Sequence, residues 1–174
     1  MGAKVFWLAL LCCLPLRSLR LTSAYGYRLH PVVHRIILHA GVDLSARSDT
    51  VFAVLDGVVN TCRYDPGLGL YIRISHAAQL ETTFGHLSQW LVLPGDTVQA
   101  GQAVAISGAT GITTGPHLHF AVTCQQHSID PLRFLWRMIN SNNHPSNSDF
   151  YEQTNEPTDR HKADRKDRRS AIAL

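Results

Sequence analysis

The sequence predicts an all-β domain: an antiparallel, sandwich-like β-sheet with one short C-terminal helix and a disordered polar tail. Three observations carry this expectation. From Ile36 to about Val122, short apolar runs are broken by Gly, Pro, Asp or Asn. Inside the runs β-branched residues and strict alternation recur, with Tyr71-Ile72-Arg73-Ile74 the clearest case. No long helical period separates the runs, and strands so closely spaced favour antiparallel pairing over βαβ units.

Taken in order, the elements begin with a lead-in. Met1 to Lys4 is a short charged start, and Val5 to Leu16 is an apolar stretch of twelve residues broken only by Pro15. Such a stretch is too short to span a bilayer and fits the apolar part of an export signal, with Thr22-Ser23-Ala24 as small residues at a cleavage point. Arg17 and Arg20 follow the apolar stretch, where a cleaved signal usually lacks charge. Residues 1–24 are therefore expected to be a signal peptide or, if uncleaved, an N-terminal membrane anchor. Leu11 before Cys12 argues against lipidation. Tyr25 to His30 reads as an irregular approach to Pro31. The expected strands are Val51–Leu55, Gly57–Asn60, Leu70–Ile74, Glu81–Phe84, Gln102–Ser107 and Leu118–Val122. Asp56-Gly57 marks a tight turn, and Pro66-Gly67, Pro94-Gly95-Asp96 and Ala100-Gly101-Gln102 punctuate similarly. At Asp130-Pro131 the period changes. Asp can cap a helix and Pro suits its first turn, and Leu132, Leu135, Trp136 and Ile139 follow at helical spacing to about Asn140. The domain is thus expected over residues 25–141, with 142–174 a polar, disordered tail.

Bulk properties bound the function. The 174 residues allow one domain with a real core, and 45% apolar against 17% charged residues marks it as globular. The net charge is +3, but from Asn142 onward six Lys/Arg cancel six Asp/Glu. No element gathers basic residues, so a nucleic-acid partner is not expected. The tail's run from Arg160 to Arg169 reads as solvated. Cys62 and Cys124 would pair in an oxidising compartment if their backbones approach, and the sequence leaves that open.

The chemistry lies in the histidines, ten in all. His39-Ala40-Gly41-Val42-Asp43 sets an imidazole and a carboxylate four apart, an even spacing that puts both on one face of an extended segment. His117-Leu118-His119 repeats the device two apart. Two imidazoles and one carboxylate, with a fourth position open to water, is the ligand pattern of a catalytic zinc site. Zinc lowers the pKa of its water and polarises a carbonyl, as amide hydrolysis requires. A base near the water and a donor to the developing oxyanion are also needed. His86 and the remaining member of the His117/His119 pair are the candidates. Either pair alone is weak, since a His–Asp couple is often a buried structural pair. Their occurrence together among strands is the stronger signal.

Several segments resemble the lysostaphin-type zinc peptidase domain. They are Gly26-Tyr27-Arg28-Leu29-His30-Pro31, His39-Ala40-Gly41-Val42-Asp43-Leu44, Val54-Leu55-Asp56-Gly57-Val58-Val59, Tyr71-Ile72-Arg73-Ile74-Ser75-His76, Phe84-Gly85-His86-Leu87, Gly95-Asp96-Thr97-Val98-Gln99-Ala100-Gly101-Gln102, Gly108-Ala109-Thr110-Gly111 and, the most specific, Thr114-Gly115-Pro116-His117-Leu118-His119-Phe120. They come in the family's order and cover about Tyr25 to Arg133. The resemblance implies His39, Asp43 and His119 as ligands of one zinc ion per domain and His86 and His117 as catalytic histidines. It further implies a groove over the zinc in an antiparallel β-sheet domain. His34 and Asp49 stand where the family usually has Gly, and Ala121 where many members have Glu. These departures bear on substrate preference. His76 is expected to be structural or part of a groove wall. His30, His127, His144 and His161 are expected at the surface, and Trp90 and Trp136 in packing.

The expectation is an exported zinc endopeptidase cutting peptidoglycan, in a stem peptide or a crossbridge, in the periplasm, cell envelope or extracellular space. With no recognisable wall-binding domain, targeting would fall to a partner protein or to the place of release. The rivals are an inactive wall-binding or activator module, which the intact ligand set disfavours, a zinc peptidase acting on a secreted peptide, and a wall amidase, to which the motifs correspond less well.

Overall fold

The computed structural model describes residues 14–29 and 34–140. The charged start, most of the apolar stretch, His30, His144, His161 and the tail 142–174 lie outside the described residues. The chain runs through β1 (Leu21–Ser23), β2 (Gly26–Leu29), β3 (Ile36–His39), β4 (Val42–Ser45) and β5 (Thr50–Phe52). Longer strands follow: β6 (Gly57–Asp65), β7 (Gly69–Ser75) and, after a 3₁₀ turn at Ala77–Gln79, β8 (Leu80–Trp90). The remainder is β9 (Thr97–Val98), β10 (Ala103–Ser107), β11 (His117–Cys124), β12 (His127–Ile129) and the helix α1 (Pro131–Asn140).

Ten strands make one antiparallel sheet with the order β1-β4-β11-β8-β7-β6-β9. The long β8 serves three neighbours. Its first half lies between β11 and β7, and its last residues, Leu87 to Trp90, pair with β10, which carries β5. Strand β12 folds back on β11. β2 and β3 form a separate two-stranded sheet.

Alternation decides which face becomes core. In β11 the side chains of Leu118, Phe120, Val122 and Cys124 are buried, joined by Val42 and Leu44 of β4 and Ile72 and Ile74 of β7. Phe84 meets Phe120 at a centroid distance of 5.4 Å. Each large apolar side chain so buried contributes about 1.5–3 kcal/mol. The period of two sends the intervening residues of the same strands, Asp43, His117 and His119, to the opposite face.

Strands β6, β7, β8 and β11 extend beyond the expected cores, β8 most of all, because tertiary pairing continues through polar positions such as Ser88 and Gln89, whereas β5 stops at Phe52, short of the expected Leu55, and β10 begins one residue late at Ala103. Tyr25 to His30 is not the irregular lead-in expected: Gly26 to Leu29 is a strand paired with Ile36 to His39. Its outward residues Tyr27 and Leu29 are exposed and apolar, so no amphipathic pattern betrayed it. Asp56-Gly57 joins no hairpin, since β5 pairs with β10 while β6 pairs with β7 and β9. The Asp56 carboxylate instead accepts from Ala100 N–H at 2.7 Å. At α1 the cap is as expected, with Asp130 Oδ1 accepting from Leu132 N–H at 2.9 Å. The buried residues there are Pro131, Phe134 and Leu135, whereas Trp136 is 66% exposed and does not pack as anticipated.

The stretch from Leu14 to Ala24 is packed on the domain. Leu16 is 3% exposed, Pro15 C=O accepts from Phe52 N–H at 3.0 Å, Arg20 C=O accepts from Ser45 N–H at 2.8 Å, and β1 pairs with β4. Cys62 and Cys124 are both free thiols, on β6 and β11. Burial pushes both thiols up from their ordinary values. Among the described residues no helix is long and apolar enough to cross a membrane.

Candidate metal centre

All five histidine and aspartate candidates line one groove of about 370 Å³. His39 and Asp43 do not share a strand, as the even spacing suggested. His39 ends β3 and Asp43 sits in β4, of different sheets, with Ala40 and Gly41 making the break. Asp43 pairs directly with His119 across β4 and β11. Gly41 permits the arrangement by close approach: a Cβ there would lie 2.7 Å from both Cε1 and Nε2 of His119.

Three ligand atoms converge. His39 Nε2 is 3.1 Å from Asp43 Oδ1 and 3.2 Å from His119 Nδ1, and His119 Nδ1 is 3.0 Å from Asp43 Oδ1. Atoms bound tetrahedrally to one zinc at about 2.0–2.1 Å stand roughly 3.3 Å apart, so the triangle fits that ion. The donor set of two imidazoles and a carboxylate suits it chemically as well. His39 is oriented for the purpose. Its Nδ1 is 2.9 Å from Ala24 C=O, and because a carbonyl only accepts, that nitrogen carries the proton and Nε2 offers a lone pair. Burial alone would raise the Asp43 carboxyl. The imidazoles of His117, His119 and His39 set around it outweigh burial and hold the group well below the usual carboxylate range.

His86 and His117 flank this cluster with ring centroids 4.5 Å apart. Both are held by the same device. His86 Nδ1 donates to Thr110 C=O at 2.8 Å and His117 Nδ1 to Gly115 C=O at 2.8 Å, which leaves each Nε2 for a substrate. His117 Nε2 is 3.5 Å from Asp43 Oδ1. The two imidazoles are pushed in opposite directions. Burial, helped by the neighbouring His117 and His119, lowers His86 against the Thr110 carbonyl and the Asp43 charge. Burial also works to lower His117, but the Asp43 hydrogen bond, the Gly115 carbonyl and the Asp43 charge overcome it and raise the group.

His86 owes its direction to a bulge. Leu70 pairs with Leu87 and Ile72 with Phe84, so Gly85 and His86 together oppose Tyr71. His86 takes φ +57°, uncommon for a residue with a side chain, and its N–H is held by Leu68 C=O at 2.7 Å. Local strain of this kind turns a side chain out of the sheet's regular alternation.

Of the other histidines, His76 is structural: its Nδ1 donates to Asp56 C=O at 2.9 Å and its Nε2 meets Thr82 Oγ1 at 2.8 Å. His127 is exposed as expected. His34 is exposed and takes φ +52°, the left-handed region that favours the Gly the family usually has there. Asp49 Oδ2 accepts from Arg47 N–H at 2.7 Å. The sequence did not reveal Arg28 as a groove residue, nor the carbonyls of Ala24 and Thr110 as the groups that orient imidazoles. Only the Gly115 carbonyl, two residues before His117, was close enough in sequence to be inferred.

Comparison with known proteins agrees with this geometry. The model of peptidase family M23 matches residues 37–131, and the chain belongs to that family. An uncharacterized metalloprotease of Haemophilus influenzae is 41% identical over 119 residues, covering 67% of this chain and 25% of its own length. The DD-carboxypeptidase/endopeptidase Mpg of Neisseria meningitidis is 37% identical over 119 residues, covering 68% and 27%. A zinc-containing peptidase from Vibrio cholerae superposes with a TM-score of 0.62 at 34% identity, covering 72% of this chain and 37% of that one. The chain spans about a quarter of the length of the curated relatives it matches.

Proposed function

We propose that this chain is a zinc-dependent endopeptidase of bacterial cell-wall peptidoglycan, acting in the cell envelope after export. The observation that carries the reading is the convergence of His39, Asp43 and His119 in a groove flanked by two further histidines whose Nδ1 atoms are locked. The family supports peptidase chemistry, and the Neisseria relative, named for DD-carboxypeptidase and endopeptidase activity, supports a wall peptide as substrate.

His39 Nε2, Asp43 Oδ1 and His119 Nδ1 are the atoms that would hold a zinc ion. Bound there, zinc supplies a Lewis acid that polarises the scissile carbonyl and acidifies water. The protein's own groups handle the protons. His86, lowered by burial, is the neutral imidazole whose Nε2 accepts a proton from the attacking water. His117, raised beside Asp43, presents an N–H to the carbonyl oxygen as its charge develops. The two roles need imidazoles with separated affinities, and burial against a carboxylate provides the separation.

The test is digestion of purified peptidoglycan sacculi by the full chain, with and without a zinc chelator, and mass spectrometry of the released fragments. Chelator-sensitive cuts within the peptides are expected and would name the bond. Sacculi left intact by folded, zinc-loaded protein would overturn the wall substrate, and folded protein that takes up no zinc would overturn the enzyme.

A further inference from the structure

Arg28 has an unused capacity that none of the roles above explains. Register places it. In the two-stranded sheet Gly26 stands opposite His39 and Arg28 opposite Ile37, so Arg28 and His39 lie on one face. Arg28 lines the groove and is the sole Lys or Arg among the described residues that do so. Its Nη2 is 3.6 Å from Asp43 Oδ2, well beyond the roughly 2.7–2.9 Å of a charge-assisted hydrogen bond. Its Nε is buried with no hydrogen-bond partner. A guanidinium offers five N–H donors in a planar fork shaped for a carboxylate. Among the described residues one long contact engages it, and the side chain remains 29% exposed. Asp65, the other acid lining the groove, is already committed: its Oδ1 accepts from Gly67 and Leu68 N–H at 2.8 and 3.0 Å. Among the described residues nothing that lines the groove satisfies Arg28, and a donor that is buried and unpaired is kept at a cost.

We propose that Arg28 receives a substrate carboxylate borne on the carbon next to the scissile nitrogen. The proposal rests on the peptidase reading above and narrows its substrate. Asp43 sets the distance, since one of its oxygens faces the ligand cluster and the other faces Arg28. A carboxylate on the carbon next to the scissile nitrogen is three bonds from the scissile carbonyl carbon, within roughly 4 Å. An acid one residue further along would lie about 3.5 Å beyond that reach. Two wall structures carry this group. One is the C-terminal residue of an uncrosslinked stem peptide. The other is a diamino acid whose amine is acylated in the crosslink while the carboxylate on the same carbon stays free. An oligoglycine bridge offers no carboxylate there and falls outside the class.

The experiment uses matched peptides and the zinc-loaded full chain. One pair is an acyl-D-alanyl-D-alanine and its C-terminal amide. The second is a branched peptide with D-alanine on the diaminopimelate amine, bearing the adjacent carboxylate or its carboxamide. kcat/KM is measured for each. Calorimetric binding is measured for analogues with a ketomethylene group in place of the scissile amide. The carboxylate member of at least one pair is expected to be favoured by about tenfold to a hundredfold in both readouts, and the favoured pair names the source. Arg28→Gln should bring that ratio to within about twofold, and Arg28→Lys should retain part of it. Equal handling of both members by the wild type overturns the proposal. So does a preference that survives in Arg28→Gln, including the case in which both peptides slow by one factor as zinc binding weakens, which would make Arg28 a positioning residue for Asp43. If the wild type cuts no peptide, the peptidase reading fails, and the binding ratios still decide for or against Arg28. Should Arg28→Gln melt before the assay temperature, Arg28→Lys decides by the same ratio.

Discussion

Gly41→Ala is a one-methyl perturbation of the ligand cluster. Gly41 lies between the two ligands of its own segment, yet its importance comes from the third. The added Cβ would stand 2.7 Å from Cε1 and Nε2 of His119 and 2.7 Å from Phe120 C=O. Carbon contacts are comfortable at about 3.5–4.0 Å, so roughly 0.8 Å must be found. The Phe120 carbonyl belongs to a strand paired on both sides, with β4 and β8, and cannot move independently. The imidazole of His119 must give way, and its Nδ1 then leaves a triangle whose edges are 3.0 to 3.2 Å. Metal–ligand distances tolerate about 0.2 Å. Zinc affinity is therefore expected to fall at least about tenfold, the scale seen when the groups that orient metal ligands are disturbed. The fold should lose about 1–3 kcal/mol through overpacking. Competition with a chromophoric chelator measures the first effect, and urea denaturation of the zinc-free protein the second. Zinc affinity within about threefold of wild type would refute the claim that Gly41 makes room for His119.

Three further outcomes are expected. His86→Ala should retain zinc and lose about 100- to 10,000-fold in turnover, because it removes a proton-transfer group and no ligand; full activity would take His86 out of the mechanism. Leu16→Ala should destabilise the chain by about 2–5 kcal/mol in chemical denaturation, since Leu16 is 3% exposed in the core. A change below about 0.5 kcal/mol would show that this segment does not belong to the folded domain. His76 gives a pH dependence. Burial pushes its imidazole below the ordinary value of about 6.5, against the Asp56 carbonyl and the charges of Glu81 and Asp56. The unfolded chain therefore takes up this proton first as pH falls. The stability is complete above about 6.5 and declines as pH drops from there to the lowered folded value, by at most about 1.4 kcal/mol per pH unit. His76→Gln should remove that part of the slope, and an unchanged slope would refute the assignment.

The sequence alone determined much of the site's membership. Its period-two alternation marked β7 and β11 as strands, and alternation also put His117 and His119 on one face with Leu118 on the other. The change of period at Asp130-Pro131 marked α1. These are short-range properties, set by neighbours two to four residues apart, and each is written in the local order of side chains. The tertiary structure decided the rest. It split His39 and Asp43 between two sheets and closed them on His119 across the β4–β11 pairing. It turned His86 inward at a bulge whose existence depends on the register of β7, and it chose the carbonyls of Ala24 and Thr110 to fix two imidazole tautomers. It also gave β2 a partner that pairs through backbone groups, which residue type barely specifies, and so placed Arg28 over the groove. In each case the contact reaches past the two to four residues that a local pattern spans, and its geometry follows from strand register and close packing, which no local pattern encodes.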